Sequence, residues 1–266
     1  MYQTDDQIKP TPEEYPTVPS TARPSDLERA QRRLIVALDV PTANAALALV
    51  DRLEGQCTWF KVGLELYVAA GPVIVEKLAA RGHSIFLDLK LHDIPNTVAS
   101  AVRAAASLGA QMLTVHAAGG PAMLAAAREA IAGATAPTQL LAVTVLTSMD
   151  QAQVTAIGVT RSPQDQVALL AKMGLQAGIE GFVCSPQEVA TLRTLTGPTG
   201  VLVTPGIRPA GADRGDQQRI ATPAQALREG ASYLVVGRPI TQAHDPAKAA
   251  KAVLDEISIA LQEAVG

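Results

Sequence analysis

The 266-residue chain is short of aromatic side chains, at 3% of the total, and holds only two cysteines and four histidines. Cys57 and Cys184 stand far apart in apolar runs, which fits reduced core thiols better than a disulfide framework or a metal site. No basic stripe and no interleaving of basic with aromatic residues is present, so nothing suggests a nucleic-acid surface or a membrane surface. No apolar run approaches the ~20 residues that span a bilayer. The N-terminus lacks the basic-then-apolar order of a signal peptide, and a cytoplasmic location is expected. The formal net charge is -3. Residues 1 to 29 carry all of it, with Asp5, Asp6, Glu13, Glu14, Asp26 and Glu28 against Lys9, Arg23 and Arg29.

Five prolines, Pro10, Pro12, Pro16, Pro19 and Pro24, break up the first 28 residues, where apolar periodicity is weak. Residues 1–29 are therefore expected to be a flexible or loosely docked extension and 30–266 the catalytic domain. From residue 33, short β-branched runs alternate with Ala/Leu-rich stretches, the pattern of parallel strands joined by crossover helices. Strands are predicted at 34–39, 59–64, 84–90, 112–116, 140–146, 181–185, 201–204 and 233–237. Helices are predicted near 43–54, 70–81, 97–108, 121–132, 163–177, 186–195, 222–229 and 246–264. Ser162, Ser185 and Thr222 each precede a proline, a pairing that marks a helix start.

Eight such units match a single-domain (β/α)8 barrel of TIM type, whose active sites lie at the C-terminal ends of the strands. A doubly wound open sheet also alternates this way, but it would need a Gly-rich nucleotide loop after an early strand, and Asp39-Val40-Pro41-Thr42 is not one. Two connections are long, 148–161 and 206–221. The second holds Arg208, Gly211, Gly215, Gln217 and Gln218 and is a candidate lid.

Polar residues gather where a barrel would place its chemistry. Asp39, Lys61, Asp88, Lys90, Thr147, Ser148, Arg208, Gly237 and Arg238 all fall within, at the end of or just after a predicted strand. Asp88 and Lys90 share strand parity and point to one face, about 7 Å apart along the strand. Charges buried there are costly unless paired, so the segment Asp88-Leu89-Lys90-Leu91-His92-Asp93 is expected to serve chemistry or binding. Lys61, Asp88, Lys90 and Asp93 make one constellation. A lysine flanked by carboxylates favours its ammonium form and suits a general acid rather than a Schiff base. Gly237-Arg238, reinforced by Arg208, suits a phosphate dianion. His92 and His116 lack metal-ligand company and read as structural. Trp59 and Phe86 read as barrel packing.

Six segments give the chain a resemblance to the bacterial type of the orotidine 5'-phosphate decarboxylase family. They are Ala37-Leu38-Asp39, Phe60-Lys61-Val62-Gly63, Phe86 to Val98 with its Asp-x-Lys-x-x-Asp, Leu146-Thr147-Ser148, Pro205-Gly206-Ile207-Arg208-Pro209 and Val236-Gly237-Arg238-Pro239. None of these positions departs from the family pattern. The resemblance implies cofactor-independent conversion of orotidine 5'-phosphate to UMP and CO2 in pyrimidine biosynthesis, with no metal. It implies Lys90 as proton donor to C6, Asp88 beside the departing carboxylate, and Lys61 and Asp39 on ribose hydroxyls. It further implies a homodimer with shared sites, in which Asp93 and Thr97 enter the neighbour's site. Thr147 and Ser148 are expected near the nucleotide, Ser148 toward the base, and Gln217, Arg208, Gly237 and Arg238 around the phosphate. Two other readings remain at this point. One is a metal-dependent sugar-phosphate decarboxylase or aldolase, for which Glu65 is the acidic candidate. The other is a nucleotide-binding protein without turnover.

Overall fold

The computed structural model describes residues 24–133, 137–209 and 219–263. Eight parallel strands close into a barrel in sequence order, β1 Leu34–Ala37, β2 Trp59–Gly63, β3 Ser84–Leu91, β4 Met112–His116, β5 Gln139–Val143, β6 Gly181–Val183, β7 Val201–Thr204 and β8 Tyr233–Val236. Closure is made by β1 pairing with β8, Ile35 opposite Val235. The α-helices among the described residues are α1 Asp26–Gln31, α2 Ala43–Arg52, α3 Leu64–Ala70, α4 Val73–Ala80, α5 Pro95–Ser107, α6 Gly120–Ala132, α7 Gln151–Ala156, α8 Pro163–Gln176, α9 Val189–Thr196, α10 Pro223–Arg228, α11 Arg238–Thr241 and α12 Pro246–Glu263.

The core has two layers, as strand alternation requires. One parity, including Leu34, Val36, Phe60, Ile85 and Leu87, packs outward against the helices. The other fills the barrel, with Ile35, Ala37, Phe86, Met112, Leu141, Val203 and Val235. Phe86 and Asp88 share that inward parity, so following β3 toward its C-terminal end changes the interior from apolar to charged. Both cysteines are buried and unpaired, and burial lifts each thiol to about 12, which keeps them inert.

Two of the three helix starts marked by a hydroxyl before proline hold as caps, whereas Ser185 opens a 3-10 turn, Pro186–Glu188, ahead of α9, and its buried hydroxyl has no hydrogen-bond partner among the described residues. Ser162 and Thr222 each accept a backbone N–H three residues on, and Asp150 caps α7 in the same way. Four helices were not expected. α1 lies in the stretch read as extension, yet it docks on α12, where Ser258 Oγ donates to the Asp26 carbonyl at 3.4 Å and Gln262 Nε2 to the Asp26 carboxylate at 2.6 Å. The extension boundary drawn at residue 29 therefore falls inside a packed helix, while residues 1–23 lie outside the described residues. α3 was hidden because Gly71, at φ 66°, and Pro72 split it from α4. α7 sits inside the connection expected as a long loop, and α11 is a single turn. No described helix is long and apolar enough to cross a membrane.

Candidate active site

A cavity of ≈ 460 Å³ opens at the C-terminal mouth of the barrel, floored by Ala37, Phe86, Val143 and Val235 and walled by the charged ends of β1 to β3. Four side chains form an alternating chain of charge across it. Asp39 Oδ1 lies 2.9 Å from Lys61 Nζ, Lys61 Nζ lies 3.7 Å from Asp88 Oδ2, and Asp88 offers both oxygens to Lys90 Nζ at 2.9 and 2.8 Å. Two negative and two positive groups leave the chain neutral, and it runs from the exposed Asp39 to the buried Asp88, whose desolvation the two flanking ammonium groups offset.

Two local features of the backbone shape how these residues meet. Lys90 has φ 51°, the one positive φ on a non-glycine among the described residues, and the β3–β4 register shifts between Leu87 and Leu91. This kink sets the direction from which the Lys90 amine meets the Asp88 carboxylate. Thr114 on β4 holds it, its Oγ1 accepting the Lys90 N–H at 2.8 Å and donating to Asp88 Oδ1 at 3.1 Å. The second feature is Gly63, where a Cβ would lie 2.8 Å from Lys61 Nζ. Only glycine leaves that ammonium its place.

Asp88 is 8% exposed. Burial pushes its carboxyl upward, but the charges of Lys61 and Lys90 and the hydrogen bonds from Lys90 and Thr114 outweigh that, holding it below the ordinary 3.8. Beside it, His116 packs against His92 with ring centroids 5.4 Å apart. Burial, His92 and Lys90 hold His116 below the usual histidine value.

The far wall carries Thr147, expected near the nucleotide, and three of the phosphate-binding candidates. Thr147, Arg208, Gly237 and Arg238 line the same cavity as the charged chain. Arg208 is buried, with its guanidinium donating to the Ile207 carbonyl at 3.0 Å, whereas Arg238 is exposed. Other expected residues are elsewhere. Ser148 is exposed and is not part of the cavity wall. Asp93, grouped with the charged cluster in the sequence, is exposed and turned to its own loop, its Oδ1 accepting the Ile94 N–H at 2.6 Å. Asp39 completes the cluster in its stead. Thr97, on the first turn of α5, is exposed and outside the cavity wall. Gln217 and most of the candidate lid lie outside the described residues.

Several site residues had been passed over. Thr114 is the buried hydroxyl in an otherwise apolar strand core, a signal that the sequence did contain. Gln242, just beyond α11, lines the cavity. Glu188 and Arg219 form a buried ion pair behind the wall. Glu65 is exposed on α3, and among the described residues no three His, Cys, Asp or Glu side chains are grouped as a metal would need.

Comparison with known proteins agrees with this geometry. The model of the orotidine 5'-phosphate decarboxylase / HUMPS family matches residues 32–253. The orotidine 5'-phosphate decarboxylase of Moorella thermoacetica is 53% identical over 236 residues, 86% of this chain and 94% of that one. That of Nitrosococcus oceani is 54% identical over 226 residues, 85% of this chain and 97% of its own. The crystal structure of orotidine 5'-phosphate decarboxylase from Lactobacillus acidophilus superposes with a TM-score of 0.74 at 41% identity, covering 85% of this chain and 99% of that one. With the family model spanning the whole barrel from before β1 to within α12, the chain belongs to the orotidine 5'-phosphate decarboxylase / HUMPS family.

Proposed function

We propose that this chain is a carboxy-lyase that converts orotidine 5'-phosphate to UMP and CO2 without a cofactor, Lys90 supplying the proton to C6. The named relatives, about half identical over nearly their whole length, support the decarboxylase assignment. The single observation that carries the mechanism is the Lys90 amine, held by both Asp88 oxygens inside the barrel mouth.

Breaking the C6–carboxylate bond leaves its electron pair in the plane of the pyrimidine ring, where the π system cannot spread it. A preorganised ammonium beside C6 stabilises that pair as it develops, and this needs no electron sink. The Lys90 Nζ–H bond then breaks toward C6, CO2 departs, and the resulting amine regains its proton from solvent. Asp88 orients the donor and stands beside the substrate carboxylate. Lys61 and Asp39 take ribose hydroxyls. Arg208, Arg238 and the Gly237 backbone grip the phosphate, aided by Gln217, and Thr147 and Ser148 contact the nucleotide. Binding energy from the phosphate, remote from the bond that breaks, can be used to hold the ring in place.

The active form in this reading is a cytoplasmic homodimer. Asp93 and Ile94, in the connection after β3, and Thr97, on the first turn of α5, are all exposed and so accessible to a second copy.

The test is loss of the orotidine absorbance on incubation with orotidine 5'-phosphate, with and without EDTA, for the wild type and Lys90→Ala. Turnover unaffected by chelator and abolished in a folded Lys90→Ala dimer is expected. Sensitivity to EDTA would favour the metal-dependent reading, and near-normal rates in the variant would remove the role given to Lys90.

A further inference from the structure

Behind the phosphate side of the cavity, Arg219 and Glu188 are 9% and 2% exposed and pair with each other. Burying two charges costs several kcal/mol per ion unless their remaining donors and acceptors are used. Here they are used in a particular way. Arg219 Nη1 meets Glu188 Oε1, Nη2 donates to the Leu146 carbonyl at 3.0 Å, and Nε points at the Thr147 carbonyl at 3.5 Å. Glu188 Oε2 in turn accepts the Ser185 N–H at 2.8 Å. One guanidinium thus ties together the connections that follow β5, β6 and β7.

Two residues beyond Arg219, Ala221 forms an isolated parallel bridge with Ile207. The Arg208 N–H donates to the Ala221 carbonyl at 2.9 Å, and the Ala221 N–H to that of Gly206 at 3.3 Å. Leu146, Thr147, Gly206 and Arg208 line the cavity, whereas Arg219 and Glu188 do not. The pair touches the wall only from behind.

We propose that Arg219, fixed by Glu188, is a positioning residue for nucleotide binding: it holds the β5 rim and the base of the β7 connection so that Thr147 faces the nucleotide and Arg208 its phosphate end. The nature of that ligand rests on the decarboxylase reading above. A lysine at 219 keeps the charge, but one ammonium on a flexible stem lacks the planar fork that reaches a carboxylate and two carbonyls at once.

Arg219→Lys and Glu188→Gln are to be compared with the wild type by circular dichroism, by calorimetric titration with UMP, and by kcat and KM for orotidine 5'-phosphate. For Arg219→Lys the expected result is a UMP Kd and a KM raised on the order of 100-fold, with kcat within about threefold. Glu188→Gln, which keeps an acceptor, should shift both in the same direction by less. A purely structural role lowers the active fraction, and so apparent kcat, at unchanged KM and Kd. UMP affinity within about threefold of wild type in a folded variant overturns the proposal, and so does failure of both variants to fold. If the wild type binds UMP but turns nothing over, the decarboxylase reading falls while the titration still decides the role of Arg219.

Discussion

The backbone N–H of Lys90 donates to Thr114 Oγ1 at 2.8 Å, and the same hydroxyl donates to Asp88 Oδ1 at 3.1 Å. One buried side chain therefore fixes both the backbone of Lys90, the proposed proton donor, and the carboxylate that its amine meets. Thr114→Val keeps the shape and removes both bonds, leaving an unpaired N–H that costs about 1–3 kcal/mol. The variant should unfold at lower temperature and lose about 10- to 100-fold in kcat by misplacing the amine. Thr114→Ser should recover most of both. Thermal unfolding and steady-state kinetics check this, and wild-type kcat in Thr114→Val would show that the amine needs no such support.

Gly63→Ala should separate catalysis from stability. The added Cβ would sit 2.8 Å from Lys61 Nζ and 3.3 Å from Asp39 Oδ1. The far end of a lysine moves easily, so a stability change within about 0.5 kcal/mol is expected. The displaced ammonium should cost about tenfold in kcat/KM. Denaturant midpoints and kinetics on one preparation test it. A variant with unchanged kcat/KM would argue that the Asp39–Lys61 contact is dispensable.

The depressed carboxyl of Asp88 links stability to pH in one direction. Its folded value lies below the ordinary 3.8, so its stabilising contribution is complete above that pH and is lost as pH falls through the lower, folded value. Lys90→Met removes one of the two cations that hold it down, leaving burial with less opposition. Urea midpoints measured from about pH 3 to about pH 7 should fall less steeply with acid in the variant than in the wild type. Parallel curves would detach the Asp88 titration from Lys90.

Asp93 offers a test of site sharing. Mixing inactive Asp93→Asn and Lys90→Ala subunits should regenerate some sites that carry both residues, and activity should appear as subunits exchange. Proven hybrids with no recovered turnover would place Asp93 outside the neighbour's site.

Much of the barrel was readable before folding, because strand and helix periodicities are local properties. The eight strands fall where short β-branched runs do, and the Ser-Pro and Thr-Pro starts of α8 and α10 hold as caps. The four-residue α11 and the six-residue α1 carry too little periodicity to be recognised, and α1 has Ala30 as its buried residue. Counting strand ends places Asp39, Lys61, Asp88 and Lys90 at the barrel mouth, but it does not show that Asp39 rather than Asp93 completes the charged cluster. Whether a loop carboxylate turns inward depends on the next N–H rather than on parity. Glu188 and Arg219 are 31 residues apart in connections without a regular pattern, and nothing local couples them. The positive φ of Lys90 and the register shift beside it carry no local sequence signal, since neither glycine nor asparagine stands there.

In a regular strand residues 88 and 90 stand roughly 7 Å apart at their Cα atoms, a span the long lysine side chain can bridge, so the 2.8 Å contact of amine and carboxylate does not by itself require the kink. The left-handed backbone at Lys90 instead sets the direction from which the amine approaches and turns the Lys90 N–H to Thr114, at an intrinsic cost of about 1–2 kcal/mol. Anyone transplanting this dyad onto another eight-stranded scaffold must therefore copy the kinked peptide and its threonine brace as well as the two side chains. An aspartate and a lysine grafted onto an unkinked host could still pair, but the amine would meet the carboxylate from another direction and without the Thr114 bonds that hold both groups here.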